Sequence, residues 1–307
     1  MKLSIITVPW NVKDKLRENY KALFQSQCDF EFEAFSVDND SSDGSAEMIA
    51  SEFPQVHLIA NKTNNGFAKA NNQAIREILA RPESEQPDYI LLLNPDMVVR
   101  PDTLDKMVKW MDANPQATLS ACHLINKDNE TVMHVRRLPK LLDQLAIVLK
   151  LPHLFPKILN KYLYVDFDYS KPAKVDSVRG SFFMFNLKKI KELLNKASEE
   201  KKQGSTLPLL DELYFIWFEE VDFCRQIQKL GGEVWYTPAA ECVDHVGQSF
   251  KQLKRGKAQE YFRDSMLKHF KKWESPWQYW VLRVAWFFGF YAAIIAEKLN
   301  FKSKAKT

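Results

Sequence analysis

Short apolar runs alternate along this chain with stretches whose apolar residues recur every three or four positions. Leu3 to Val8 reads as a first strand, and Pro9-Trp10-Asn11 turns it into a helix over Lys15 to Gln25. Phe30 to Val37 alternates apolar and polar side chains as a strand does, and ends in Asp38-Asn39-Asp40-Ser41-Ser42-Asp43. Ser42 or Asp43 is placed to cap a helix running through Met48 and Ile49 to Phe53. A short strand over Val56 to Ile59, a turn at Asn64-Asn65-Gly66 and a helix over Ala68 to Leu79 follow. Tyr89 to Leu93 is an unbroken apolar run, too short for an ordinary helix and bounded by Pro95. Such a run predicts a strand buried on both faces, the kind found inside a parallel sheet. The strand and helix alternation predicts an α/β fold, a mostly parallel sheet with crossover helices.

The second half is as legible in places. Leu104, Met107, Val108 and Met111 form one apolar face of a helix capped by Asp102 and ended by Asn114-Pro115. Thr118 to Leu124 and Val175 to Phe185 read as strands, and Gly180-Ser181 within the latter lets a ligand or another backbone come close. Arg136 to Lys174 has no sustained period and is expected to be an excursion over the acceptor side; Lys196 to Thr206 is expected to be a charged loop. A helix beginning near Glu219 carries an apolar stripe of Phe223, Cys224, Ile227 and Leu230, closed by Gly231-Gly232. Short strands follow at Val234 to Tyr236 and Glu241 to Val243.

Composition adds that the chain can bury a substantial core, with 307 residues of which 46% are hydrophobic. Its four cysteines are far apart, so neither a zinc site nor a disulfide framework is implied, and a reducing, cytoplasmic compartment fits. Nothing at the N-terminus resembles a cleavable leader. Charge is uneven: from Phe250 onward thirteen Lys/Arg face four Asp/Glu, a net of +9, which leaves −5 for residues 1–249.

Candidate chemistry sits where strands end. In open α/β sheets ligands bind beyond the carboxyl ends of the strands, and the Tyr89 to Leu93 strand ends in Asn94-Pro95-Asp96. At about 100° per residue, Glu220 falls within the apolar stripe of its helix, Glu219 on its edge and Asp222 well away from it. An inward-facing Glu220 is desolvated, which raises its pKa and suits a general base; the helix N-terminus acts the other way. His245, after the last short strand, is a candidate metal ligand or diphosphate donor.

Four segments taken together, Val37 to Ser45, Asn64 to Asn72, Leu93 to Asp96 and Glu219 to Cys224, resemble in order the motifs of glycosyltransferase family 2, in its bacterial rhamnosyltransferase-like branch. The resemblance runs from about Leu3 to Ser249. It implies a GT-A fold over residues 1–249, with a nucleotide-sugar-binding half over 1–125 and an acceptor half over 126–249. It also implies inverting transfer of a sugar, rhamnose being the candidate, from a dTDP- or UDP-sugar to a glycan or lipid-linked acceptor in bacterial surface polysaccharide synthesis. By matching positions, Pro9, Asp38, Asn39, Gly66, Lys69, Asn71 and Asn94 would serve the donor, Asp38 meeting the pyrimidine. Asp96, with His245, would serve Mg²⁺ or Mn²⁺. Glu220 would be the base, with Glu219 as its alternative. The family's metal motif is often Asp-X-Asp; Asn94 takes the first place here.

Residues 250–307 form a basic, aromatic-rich tail. Its run from Trp277 to Ala296 is interrupted by Arg283, too short to span a bilayer, and reads as an in-plane amphipathic helix with a basic approach. That predicts a peripheral protein at the inner face of the cell membrane; the alternative is a helix packed on the domain or in a homodimer. Nucleic acid is disfavoured, because the basic residues lead into an apolar, tryptophan-rich segment. Two other function classes fit less well. A nucleotidyltransferase would want a glycine-rich loop after the first strand, where Val8-Pro9-Trp10-Asn11 stands, and a non-catalytic membrane-assembly scaffold would not need the acids.

Overall fold

A computed structural model describes residues 1–199, 207, 209–245 and 255–289. The first part runs β1 (Leu3–Thr7), α1 (Lys13–Phe24), β2 (Phe32–Asp38), α2 (Ser45–Glu52), β3 (His57–Ala60), α3 (Gly66–Leu79), β4 (Tyr89–Leu93), β5 (Met97–Val99), α4 (Thr103–Ala113) and β6 (Ala117–Ile125). Then come β7 (Val135–Arg136), α5 (Leu141–Val148), α6 (Asn160–Leu163), β8 (Ala173–Lys174), β9 (Ser177–Val178), β10 (Phe182–Asn186) and α7 (Leu187–Glu199). The chain closes with α8 (Glu219–Lys229), β11 (Glu233–Asp244), α9 (Arg255–Trp273) and a helix whose described part, residues 276–289, is called α10.

Nine strands make one sheet in the order β3-β2-β1-β4-β10-β6-β11-β5, with β8 beside β11. Pairing is parallel from β3 through β4 and between β6 and β11, and antiparallel where β10, β5 and β8 join. Every residue of β4 is buried. Because side chains alternate along a strand, Tyr89, Leu91 and Leu93 pack with α1, α2 and α4 on one face. Ile90 and Leu92 pack with α3, α7 and α8 on the other. Each such leucine stabilises the fold by roughly 1.5–3 kcal/mol.

Several expectations need correction. Arg136 to Lys174 is not formless: it holds α5, a 3₁₀ turn and α6. Lys196 to Glu199 belong to α7, whose Leu187, Ile190 and Leu194 anchor it on the sheet; residues 200–206 lie outside the described residues. The strand expected from Val175 to Phe185 is two strands parted by Arg179 to Ser181, while the two expected after Gly232 are one. That strand, β11, loses register between Tyr236 and Glu241, around Pro238, which has no N–H to donate. Gly44, with φ +82°, precedes α2, and Asp43 instead bonds Ser45 and the Lys13 N–H.

A third apolar cluster lies outside the sheet. Met266 and Phe270 of α9 and Leu282 and Ala285 of α10 pack with Val148, Tyr214 and Phe218. Part of the tail is thus bound to the domain. The tail segments 250–254 and 290–307, and residues 246–249 after His245, lie outside the described residues.

Candidate functional site

The end of β4 is fixed from several sides. Asn94 N–H donates to the Ser181 carbonyl at 2.9 Å, Met97 N–H to the Asn94 carbonyl at 3.1 Å, and His245 N–H to the Asp96 carbonyl at 3.3 Å. From α1, the buried Asn19 amide donates to the carbonyls of Asn94 at 3.2 Å and Met97 at 2.8 Å. Asp96, only 5% exposed, lines a cavity of about 640 Å³. The antiparallel pairing of β10 with β4 and of β11 with β5 brings Arg179 and Asp244 to the same cavity, where Arg179 Nη1 lies 3.3 Å from the Asp244 carboxylate.

The end of β2 is tied to the start of α3. Asn39 N–H donates to the Pro9 carbonyl at 3.0 Å, and its amide donates to the Gly66 carbonyl at 3.1 Å while accepting from the Asn65 N–H at 3.3 Å. Gly66 has φ +78°, and a Cβ there would lie 2.4 Å from the Phe215 carbonyl oxygen. Only glycine lets the chain pass so close, and Phe67 N–H uses the approach to donate to that carbonyl at 2.9 Å. Beside Asn39, the buried Asp38 accepts from Ser41 N–H at 2.9 Å through one carboxylate oxygen; the other is shielded from solvent and unpartnered.

Glu219 and Glu220 come from the first turn of α8. They are preceded by two bulky residues in the left-handed region, Trp217 at φ +64° and Phe218 at φ +69°. Each such residue costs on the order of 1–2 kcal/mol, so the surroundings must hold it. They do so from α9. Phe218 packs on the rings of Phe262 and His269 at 5.6 and 5.4 Å, Ser265 Oγ donates to the Ile216 carbonyl at 2.8 Å, and Tyr261 stacks on Phe215 at 4.4 Å. Tyr261 itself lines the cavity.

Asp222, expected to face away from the apolar stripe, is fully buried. The wheel gave the right angle; what it lacked was α9, which covers that face. The Asp222 carboxylate accepts from Trp273 Nε1 at 2.5 Å, Lys272 Nζ at 2.8 Å, Gln226 Nε2 at 2.6 Å and the Tyr214 hydroxyl at 3.3 Å. Glu219 and Glu220 have no such company: each has an Oε2 shielded from solvent with no hydrogen-bond partner. Burial pushes both carboxyls above the usual range. The neighbouring charges of Glu220 and Asp222 push Glu219 further, whereas helix N–H groups and Arg179 partly offset the rise at Glu220.

The structure therefore gathers Asn39, Gly66, Asn94, Asp96, Glu219 and Glu220 around one cavity. Pro9 and Asp38 adjoin Asn39 without lining it. Lys69 and Asn71 are not brought in: Lys69 is exposed on α3, and Asn71 is buried with its amide on the Phe67 carbonyl. His245 contributes backbone to the Asp96 turn, but its ring lies 3.3 Å from Glu18 of α1. Lining residues that the sequence did not single out include Trp10, Arg179, Asp244 and Tyr261. The strand-end rule that singled out Asp96 could have found Asp244, and Arg179 adjoins the Gly180-Ser181 break. Tyr261 has no local signal.

Among the described residues no group of three or more His, Cys, Asp or Glu could hold a metal by itself. The hard oxygen of Asp96 fits a divalent cation that takes most of its ligands from a diphosphate and water.

A family model described as glycosyl transferase family 2 matches residues 4–194. An uncharacterized glycosyltransferase, YfnE, of Bacillus subtilis (strain 168) is 27% identical over 75% of this chain and 61% of its own length, so the chain spans about three fifths of that relative. An N-acetylglucosaminyl-diphospho-decaprenol L-rhamnosyltransferase of Mycobacterium tuberculosis (strain CDC 1551 / Oshkosh) is 23% identical over 80% of this chain and 78% of its own. Among solved structures, mannosyltransferase PcManGT from Pyrobaculum calidifontis, in complex with GDP-Man and Mn²⁺, shares the fold with a TM-score of 0.53 at 18% identity, covering 99% of this chain and 79% of that one.

Proposed function

The chain belongs to glycosyl transferase family 2, and from that membership we propose that it is an inverting glycosyltransferase moving a sugar from a nucleotide-diphosphate donor to a glycan or lipid-linked acceptor. The observation that carries the proposal is one cavity lined both by Asp96 and by two carboxylates with shielded, unpartnered oxygens, Glu219 and Glu220. Inverting transfer is one in-line displacement, so it needs a base for the acceptor hydroxyl and relief of charge on the leaving diphosphate. Glu220 takes the acceptor proton: burial raises its carboxyl above the usual range, and helix N–H groups and then the Arg179 charge partly offset that rise. Glu219, more deeply buried and raised further by the charges of Glu220 and Asp222, stands beside it as the alternative base. Asp96 would hold a divalent cation, Mg²⁺ or Mn²⁺, which when bound neutralises the departing diphosphate. The free oxygen of Asp38 is the group suited to an N–H of a uracil or thymine ring, which favours a dTDP- or UDP-sugar.

The rhamnosyltransferase relative makes a rhamnose donor the first to try, and a lipid-linked acceptor at the inner membrane face suits the basic tail. A panel of nucleotide sugars, with and without Mn²⁺, tests the donor by protection against thermal unfolding. At a ligand concentration 100 times Kd the true donor stabilises by about 2.7 kcal/mol. That protection should need the cation and vanish in Asp96→Ala. Cation-independent protection, equal in Asp96→Ala, overturns the placement of the metal.

A further inference from the structure

α10 has two apolar faces. Leu282 and Ala285 are buried in the third cluster, as the amphipathic pattern of a docked helix requires. Trp277, Trp280, Val281, Val284, Phe287 and Phe288 recur at the same helical spacing on the other side, and each is 38–62% exposed. The end of α10 lies against α5: a Cβ on Gly289 would be 2.7 Å from the Val148 carbonyl. Beyond that contact the chain exposes Leu149 (43%), Leu154 (74%) and Phe155 (59%), in the segment expected to carry nothing regular. An uncovered apolar surface of this kind marks an interaction site.

Charge says what covers it. Between α9 and α10 lies a cleft of about 800 Å³, apart from the glycosyl-transfer cavity, lined by Arg263, Lys268, Lys271 and Arg283 together with Trp286 and Phe287. Only Glu260 and Asp264 supply acid there, and Asp264 is paired with Arg263. Cations beside a tryptophan- and phenylalanine-rich stripe are the two parts of an interfacial membrane site: aromatics at the acyl boundary, guanidinium and ammonium groups at phosphate level. Among the described residues no helix is long and apolar enough to cross a bilayer, so contact would be in plane. A second copy of the same surface would set these cations against one another.

We propose that α10, the cleft behind it and the loop after α5 form a docking platform for an anionic phospholipid bilayer, the cleft receiving phosphate headgroups. This deepens the reading of the enzyme as one that meets a lipid-linked acceptor, yet it requires no transfer. The loop after α5 was not part of the expected tail anchor; it makes the platform two-sided.

The test is co-flotation of the full chain with vesicles of phosphatidylcholine, with or without phosphatidylglycerol. Binding should require phosphatidylglycerol. It should weaken about fivefold for each cation removed in Lys271→Ala and Arg283→Ala. Trp280→Glu with Phe287→Glu should abolish it, and Leu154→Glu should weaken it. An unchanged melting temperature without added nucleotide shows that each variant is folded. Equal binding by the double glutamate variant overturns the proposal, as does wild-type protein that ignores both vesicles. A wild-type dimer dissociated by Trp280→Glu, with no vesicle binding, makes the stripe a protein interface and also overturns it. Because donor protection is measured separately, a failed platform leaves the glycosyl-transfer reading standing, and a failed donor panel leaves the platform standing.

Discussion

The two acidic sides of the cavity are built differently. Asp96 stands on a turn held by backbone hydrogen bonds at the ends of sheet strands and by one asparagine, Asn19 of α1. Glu219 and Glu220 stand on a helix whose entry is a pair of left-handed aromatic residues, held by side chains of α9 some fifty residues later in the chain. One side is a consequence of sheet geometry. The other is a consequence of docking, and it is only as firm as α9 is.

Glu220→Gln should separate the two sides most sharply. It removes the proposed base and keeps the shape, so transfer should fall about a thousandfold while nucleotide protection is unchanged. Full turnover by this variant with the true acceptor would end the assignment. Asp222→Asn is the next test. Replacing the carboxylate leaves Lys272 and Trp273 poorly matched at a buried site, and should cost about 2 kcal/mol of stability. If α9 positions the catalytic helix, kcat should fall about tenfold with donor KM unchanged. A merely structural Asp222 would leave kcat per folded molecule alone, and a loss of donor affinity equal to the loss of kcat would erase the distinction between the two sides.

Glu219→Gln gives the smallest effect. The folded-state pKa of Glu219 is raised, so folded protein holds its proton more tightly than unfolded protein does. Stability from this group is therefore greatest below the unfolded glutamate pKa and falls as pH rises through the interval up to the folded value. A glutamine pays no such penalty. Melting of Glu219→Gln should match wild type in acid and exceed it by about 2 °C at neutral pH; the reverse order would show that Glu219 is ionised and stabilised in the fold.

What could be read from the sequence divides along the same line. β4 was legible because five adjacent apolar residues admit few alternatives, and α4 because its buried Leu104, Met107, Val108 and Met111 keep helical spacing. Asp96 followed from standing at a strand end, and Asn39 and Asn94 came only with the family resemblance; the wheel turned Glu220 inward, whereas Glu219 is the more buried of the two. Asp222 does stand away from the apolar stripe, but its burial could not be read, because a helical wheel knows one helix and that polar face is covered by another. Lys69 and Asn71, named by the resemblance, stand outside the cavity, Lys69 exposed and Asn71 with its amide on the Phe67 carbonyl. Tyr261 and the covering role of α9 were invisible, since nothing in a basic amphipathic stretch says which surface it will meet.

The left-handed pair before α8 also has a consequence in time. Translation delivers β1 to β4, with Asp38 and Asp96, long before it delivers Ser265, Lys272 and Trp273. The strand-end turns can form as soon as their sheet does, whereas Trp217 and Phe218 gain their contacts with Phe262 and His269 only when α9 arrives. A growing chain therefore completes the α8 side of the cavity only after α9 has docked, where Leu282 and Ala285 of α10 join it.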